Sequence, residues 1–586
     1  MGSGAVLNRQ IGLSVAAIAF LISQVALACL SGNYRIVTNV NSPSSGLVTQ
    51  TVSPQDIVEV TYPDQNICYS PVDITMVVMS GQSNSAGDGI SSIDTTQPYS
   101  NVVLYDSLGI VNGYNISQPD AGTLSLIPAI CPERTPGDIL PDGGEIVTYP
   151  HNIEGFTSDV AVANELTSLA LSDGFQSFKM AISNEGVPGA PMSAIQKGGT
   201  NNSYAAGIYE VNADWLLSSP QTLAPRAVLF AHGESDNQNS LYQSELVTMQ
   251  ADYQTDIQSV TGQTLPVIMI ERQQQSEPSV MGGINESALQ QLDVTIANPN
   301  VMILSSPDYQ CPLEMPGSIV GDGVHYNQLC YAMIGEKMAE AFYRNVVRGQ
   351  NWNGIYPINF SRATNIVTIT FNVPLGMKIR ASYLIDVPGI LQFDSTVPLN
   401  HQTGDYSVWA NGYGFEAYDN LQEVTAVASG SPWIFTIPGH DLATNDIIGV
   451  EYQSTAPTDT AQKLFTVTVI DSNTVSLQGT TPSSNSFTGL PSSPYWNQIW
   501  QPITIESAVI QNGNQVVLTL SRAPTRNLVI SYAHHADGDY GTFTLIGATG
   551  RSGNLRDGDP FCGRSCVSGL TPNNFNWGDE FSQLVP

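Results

Sequence analysis

Ile74-Thr75-Met76-Val77-Val78-Met79-Ser80-Gly81-Gln82-Ser83-Asn84-Ser85 is the stretch on which the reading of this chain turns. The run Ile74 to Met79 is apolar and ends at a Gly, the pattern of a buried strand. A Ser on the turn after such a strand projects from the sheet's carboxyl edge, where open α/β sheets place their chemistry. Two more segments carry polar groups at related places: His232-Gly233-Glu234-Ser235-Asp236 follows the strand 226–231, and Asp322-Gly323-Val324-His325 precedes a helical stretch. A carboxylate three residues before a His can hold the imidazole while its far nitrogen reaches a Ser hydroxyl. In that arrangement Ser83 is the nucleophile, His325 the base and Asp322 the orienter.

The order of these blocks resembles the SGNH hydrolases, and within them the carbohydrate and sialate O-acetylesterase branch. That branch's first block reads Gly-Gln-Ser-Asn, as Gly81-Gln82-Ser83-Asn84 does. The resemblance spans roughly residues 72–348. It implies an α/β fold, a flavodoxin-like three-layer sandwich with a parallel sheet, and a Ser83, Asp322, His325 triad that needs neither metal nor cofactor. It also implies an oxyanion hole from the Ser83 N–H and a Gly in the second block, Asn184-Glu185-Gly186-Val187-Pro188-Gly189-Ala190, where Gly189 fits best because the backbone must approach the substrate closely. The third block departs from the pattern. The broad family has Gly-x-Asn-Asp and the branch Gln-Gly-Glu; here His232 stands in place of the Gln and Ser235 in place of the Asn. Either is a candidate second donor to the oxyanion. Gln82, Asn84, Glu234 and Asp236 are expected to brace these loops by hydrogen bonds.

The implied substrate is an acetylated glycan or polysaccharide. With 19 basic against 51 acidic residues the formal charge is −32, which repels nucleic acid and anionic membranes. There is no basic stripe with interleaved aromatics, so nucleic acid is excluded as a substrate. The same field disfavours a strongly anionic polymer unless a cation screens it. His151, His401, His440 and the pair His534-His535 show no ligand spacing with Cys or carboxylates.

Arg9, the apolar run Ile11 to Ala28 and Ala26-Leu27-Ala28 before Cys29 form the three parts of a secretory signal peptide over 1–28. An uncleaved membrane anchor is the competing reading. Cys29 raises lipid attachment, although Ala26 stands where that signal prefers Leu. Export permits disulfides among the seven Cys. Cys311 with Cys330, flanking the Asp-x-x-His block, Cys562 with Cys566, and Cys68 with Cys131 are the open possibilities, leaving Cys29 over.

Along the chain, residues 29–71 read as an extended β lead-in and 72–348 as the esterase domain. Within it strands are expected near 74–80, 178–183, 226–231, 266–270 and 301–305, and helices near 158–171, 244–261 and 327–346. Such alternation argues for a parallel sheet covered by helices. Helix signals vanish after about 350. Ile366 to Phe371, Val516 to Ser521 and Leu528 to Tyr532 alternate as strands of an antiparallel sandwich, placed at 349–421 plus 498–556. The segments Val424 to Pro432, Pro438 to Leu442 and Phe465 to Leu477 resemble a small β module of phage tail proteins, here inserted at 422–497; Gly550 to Asp557 is similar to segments that close phage-associated acetylesterases. Residues 557–586 are left as a tail. These likenesses imply a secreted or virion-associated enzyme with other virion or cell-surface proteins as partners, and a trimer as one assembly. Two other readings stay open: a glycan-binding or structural protein on a degenerate esterase fold, which the departures at His232 and Ser235 favour, and a short-chain lipolytic esterase. Trp409, Trp433 and Trp496 are either sugar-stacking or core residues.

Overall fold

Ile74–Gly81 forms strand β1, and all eight of its residues are buried. Its side chains alternate between two apolar layers: Val77 and Met79 join one, Met76 and Val78 the other. A strand covered on both faces must be apolar throughout, which is why no polar alternation marks it. The computed structural model describes residues 73–86, 99, 101–106, 109–110, 125–129, 158–175, 178–201, 203–219, 221–236, 239–274, 286–307, 309–315, 318, 325–380, 383–395, 408–428, 431–451, 464–480, 498–534, 553–558 and 561–586. The segments 1–28 and 29–71 lie outside them, as do Cys29, Cys68, Cys131, His151, Trp496 and Asp322.

After β1 come the one-turn helix α1 (Ser83–Ala86), β2 (Val102–Asp106), β3 (Gly109–Ile110), β4 (Ser125–Pro128), α2 (Ser158–Ser172) and β5 (Met180–Asn184). They are followed by α3 (Met192–Ile195), α4 (Ser203–Leu217), β6 (Leu223–Ala231), α5 (Tyr242–Thr261) and β7 (Ile268–Gln273). The α/β half closes with α6 (Glu286–Ala297), β8 (Met302–Pro307), α7 (Gln310–Glu314) and α8 (Gln328–Phe342), then a π turn over Tyr343–Val347. The sheet runs β3-β2-β5-β1-β6-β7-β8, with β4 beside β2; β2, β5, β1, β6, β7 and β8 pair in parallel. Leu166 and Leu169 of α2 and Met338 and Phe342 of α8 cover one face; Val211 of α4 and Leu246, Met249 and Tyr253 of α5 cover the other. This is the three-layer α/β sandwich that the strand–helix alternation foretells. Helices α4 and α6 are additions to what the sequence pattern had indicated.

The second half is antiparallel, as expected of a sandwich. Ile505–Gln511, Gln515–Leu520, Ile366–Asn372 and Tyr356–Ala363 make one sheet. Val367, Ile369 and Phe371 turn inward at every second position and meet Phe415, Trp500, Ile530 and Phe581 from the facing sheet. The segment between Val424 and Leu477 has its own apolar cluster, which includes Trp433, Phe435, Val467 and Val475. Trp409 and Trp433 therefore lie in cores, 0% and 3% exposed, and offer no stacking surface to a sugar.

The last thirty residues are no appendage. Phe581–Val585 pairs along its whole length with Leu528–Tyr532, and Leu555–Asp557 pairs with Leu391–Phe393. Disulfides join Cys311 to Cys330 and Cys562 to Cys566. Among the described residues no helix is long and apolar enough to cross a membrane.

This packing buries acids. Desolvation pushes Glu185, Glu271 and Glu314 up to about 8 and Asp557 up to about 7. An unfolded chain loses those protons near pH 4. Between about pH 5 and 8 the folded state thus holds more protons than the unfolded one, and stability falls as pH rises. His232, lowered by burial, acts in the opposite sense below about 6.5, but it is one group against these four. The thermal midpoint is expected to drop between pH 5.5 and pH 8 in a calorimetric series; a midpoint that climbs over that range would contradict this balance.

Candidate active site

The chain leaves β1 in both directions: β5 and β2 lie on one side of it, and β6, β7 and β8 follow in order on the other. Numbered in chain order, the five strands β5-β1-β6-β7-β8 run 2-1-3-4-5, with β2 beyond β5, and the crevice of such a sheet opens at the carboxyl ends of the strands where the order reverses. Gly81 stands opposite Ala231, and Met79 opposite Asn184, so β1 and β6 end together and β5 ends two residues earlier. The loops 82–86, 185–190 and 232–236 therefore emerge side by side.

The turn that carries Ser83 is built on Gly81. Its φ of +136° is closed to ordinary L-residues, and a Cβ there would run into the Ala231 carbonyl. That carbonyl accepts the Gln82 N–H at 3.1 Å, and the Gly81 carbonyl accepts the Val187 N–H at 3.0 Å, which links all three loops at their roots. Asn84 Nδ2 donates to Glu234 Oε1 at 2.8 Å, and its Oδ1 accepts the Tyr331 hydroxyl at 3.1 Å. Asn184 Nδ2 donates to the Ser85 carbonyl at 2.9 Å. Ser83 is 6% exposed, and among the described residues its hydroxyl has no protein partner.

Gly189 adopts φ +67°, the left-handed region. The Ser235 hydroxyl donates to the Gly189 carbonyl at 3.1 Å, and the Ser235 N–H donates to Gln82 Oε1 at 3.2 Å. His232 is fully buried. Its Nε2 lies 2.9 Å from the Ala190 carbonyl, which can only accept, so the proton is assigned to Nε2; Nδ1 then accepts the Tyr242 hydroxyl at 3.0 Å. Burial lowers its pKa and keeps the ring neutral. Asp236 Oδ2 accepts the Met192 N–H at 2.7 Å, and its Oδ1 accepts Asn239 Nδ2 at 2.8 Å.

These contacts revise two expectations. His232 has both ring nitrogens engaged inside the protein, and the Ser235 hydroxyl proton is already given to Gly189. In this arrangement both side chains spend their donors within the protein. Their work is to hold the loop that presents Gly189, one at Ala190 and one at Gly189 itself. His232→Leu leaves the Ala190 carbonyl and the Tyr242 hydroxyl buried without it, at about 1–3 kcal/mol each. We expect a fall of about 2–4 kcal/mol in unfolding free energy, with activity reduced but measurable in the folded fraction; denaturant titration paired with turnover checks both.

His325 comes just before α8 and is 8% exposed. The Asn327 side chain caps that helix, accepting the Leu329 and Cys330 N–H groups at 3.1 and 3.0 Å. The Tyr326 ring lies under the Arg272 guanidinium, 4.7 Å away, and edge-on to Tyr331 at 5.9 Å. Tyr331 in turn grips Asn84. The segment that bears His325 is thereby tied to the residue beside Ser83. Asp322 is outside the described residues.

Four residues that hold this site were not singled out by sequence: Tyr331, Tyr242, Asn184 and Gln291, whose Nε2 donates to the His232 carbonyl at 2.9 Å. Only Asn184, at a strand end before Glu-Gly, carried any local signal. Among the described residues no group of three His, Cys, Asp or Glu is arranged to hold a metal ion.

No protein-family model matches the chain, and no curated protein sequence matches it. Solved structures similar to it include a carbohydrate acetylesterase from Xanthomonas citri, 11% identical, covering 87% of this chain and 80% of that one, with a TM-score of 0.42. A protein from Arabidopsis thaliana is 15% identical over 47% of this chain and 100% of its own, with a TM-score of 0.32. NanS is 12% identical over 46% of this chain and 97% of its own, with a TM-score of 0.31.

Proposed function

We propose that this protein is a serine esterase that removes O-acetyl groups from a carbohydrate or polysaccharide. His325 takes the Ser83 proton as the hydroxyl oxygen attacks the acetyl carbonyl. The backbone N–H groups of Ser83 and Gly189 receive the oxyanion of the tetrahedral intermediate. His325 then protonates the departing sugar oxygen, and a water activated by the same imidazole releases acetate from Ser83. Asp322 orients the imidazole. The observation that carries the reading is the contrast within one turn. Gln82, Asn84 and Ser85 each spend their side chains on a neighbour, whereas Ser83 stands at the switch-point crevice with its hydroxyl uncommitted among the described residues.

What supports the acetyl-sugar half of the reading is the Gly81-Gln82-Ser83-Asn84 block and the small, polar residues after the nucleophile. The likeness of 424–477 to phage-tail modules supports a setting outside the cell or on a virion, with surface polysaccharide as substrate. A glycan-binding protein on the same fold is the second reading: His232 and Ser235 stand where the family pattern has a polar donor, and both side chains are engaged within the protein, His232 at Ala190 and Tyr242 and Ser235 at Gly189.

Acetate release from p-nitrophenyl acetate and from a panel of O-acetylated polysaccharides tests the proposal. We expect release from both, with one polysaccharide preferred and butyrate or octanoate esters cleaved more slowly. Preference for the longer esters would favour a lipolytic enzyme, and glycan binding without release would favour a binding protein.

A further inference from the structure

We infer that the segment 574–580 is a strap that positions His325, so that the β half of the chain takes part in turnover rather than only adjoining the enzyme; this rests on the esterase reading above. His325 is bracketed by α7 and α8, which the Cys311–Cys330 disulfide joins with their Cα atoms 5.7 Å apart. From α7 the path is pinned in steps: the Met315 N–H donates to the Cys311 carbonyl at 2.8 Å, Ser318 N–H to the Met315 carbonyl at 3.2 Å, and Asn327 N–H to the Ser318 carbonyl at 2.7 Å.

The strap grips both helices. Glu314 Oε1 accepts the Trp577 indole N–H at 2.6 Å and the Phe575 N–H at 3.0 Å. Gln310 Nε2 donates to the Phe575 carbonyl at 2.8 Å and to the Asn574 side chain, and the Tyr309 hydroxyl donates to the Gly578 carbonyl. On α8, the Met333 carbonyl accepts Asn574 Nδ2 at 2.9 Å and Lys337 donates to Asn576. At the other end Gln273, the last residue of β7, exchanges two hydrogen bonds with the Glu580 backbone at 2.7 and 2.9 Å. Strand Phe581–Val585 then anchors the strap in the sandwich. The segment also bonds to Ile355, Asp557, Phe561 and His534 on the β side, so it spans from the sandwich to α7, α8 and the carboxyl end of β7, the elements a brace for the His325 segment requires.

Three full-chain variants test this: Glu314→Leu, Glu314→Gln and Trp577→Phe. Burial keeps the Glu314 carboxyl protonated near neutrality, and Gln retains an oxygen for both donors. We expect Glu314→Leu and Trp577→Phe to lower kcat about 10–10²-fold, the scale of a small misplacement of a catalytic group. KM should stay within about twofold, and the acid limb of the kcat/KM pH profile should move. Glu314→Gln should restore both. Counting competent sites with a fluorophosphonate separates misplacement from unfolding. Unchanged turnover per titrated site in Trp577→Phe, or in a folded Glu314→Leu, overturns the inference. Loss of sites alone, with normal turnover in those that remain, overturns it equally. A Ser83→Ala control distinguishes the failures: if Ser83→Ala stays active the esterase reading falls, whereas if it is dead and Trp577→Phe turns over normally only the strap falls.

Discussion

Ser83→Ala is expected to abolish acetate release while leaving the fold intact. The substitution removes one oxygen from a residue that is 6% exposed and whose hydroxyl, among the described residues, holds nothing in place. The turn around it is fixed by others: Gln82 to Ser235, Asn84 to Glu234 and Tyr331, and Ser85 to the Gln82 carbonyl. Stability should change by less than about 1 kcal/mol, as for a substitution away from any packing or bonding feature. Turnover should fall by about 10⁴–10⁶, the range for losing the nucleophile of a Ser-His-Asp set. Stopped or coupled acetate assays beside a thermal melt measure both quantities on one preparation. A variant that keeps more than about a hundredth of the parent's kcat would show that the ester is cleaved elsewhere.

Gly81→Ala is expected to damage the protein more broadly. Two effects add at this position. A φ of +136° costs an L-residue about 1–3 kcal/mol, and the new methyl would press on the Ala231 carbonyl where β1 and β6 lie in register. Relief requires the two central strands to part at their carboxyl ends, or Gly81 to rotate. Either movement disturbs the Gln82 N–H bond to Ala231 and the Val187 N–H bond to Gly81. We expect a loss of about 3–5 kcal/mol in unfolding free energy. In the molecules that still fold, turnover should drop about 10²-fold because Ser83 and the Gly189 loop hang from those bonds. Denaturant titration, with kcat corrected for the folded fraction, reads both. A cost below about 1 kcal/mol would mean that the turn is less constrained than its geometry states.

The sequence made β1 and the Ser83 turn legible because a strand buried on both faces is a continuous apolar run that ends at a turn residue. Helices α2, α5 and α8 were legible for a related reason: each presents enough apolar positions on one face to show its period. Helices α4 and α6 escaped notice although they bury polar residues no more than α2 and α8 do, which take Asn164, Glu165, Glu336 and Lys337 inward. Glu210 and Asp214 of α4 and Ser287, Gln290 and Gln291 of α6 are buried. In α6 that burial is local to the site: Gln291 serves the His232 carbonyl and Gln290 the Asn239 carbonyl.

The candidate site divides in the same way. Its blocks are short and contiguous, so residue type and spacing reveal them. The bonds that assemble them join residues far apart, such as Tyr331 and Asn84 at a separation of 247 positions. No local pattern records such a pairing. His232 shows the consequence: its place in the third block suggested a donor to substrate, and only the Ala190 and Tyr242 contacts reveal that its nitrogens face inward. The segment after 557 reads as a tail for a similar reason. Apart from Phe581–Val585 it is held by isolated bonds to distant residues, such as the Arg564 and Phe575 N–H groups to Glu165 and Glu314 and the Asn574 amide to the Met333 carbonyl, which leaves no periodicity to detect.

Reaction of the intact protein with a fluorophosphonate, followed by peptide mass spectrometry, tests the central claim most directly. The account predicts one adduct, on Ser83, formed in step with the loss of acetate release. No adduct on an active preparation, or an adduct on another residue such as Ser85 or Ser235 that tracks the inactivation, would contradict it.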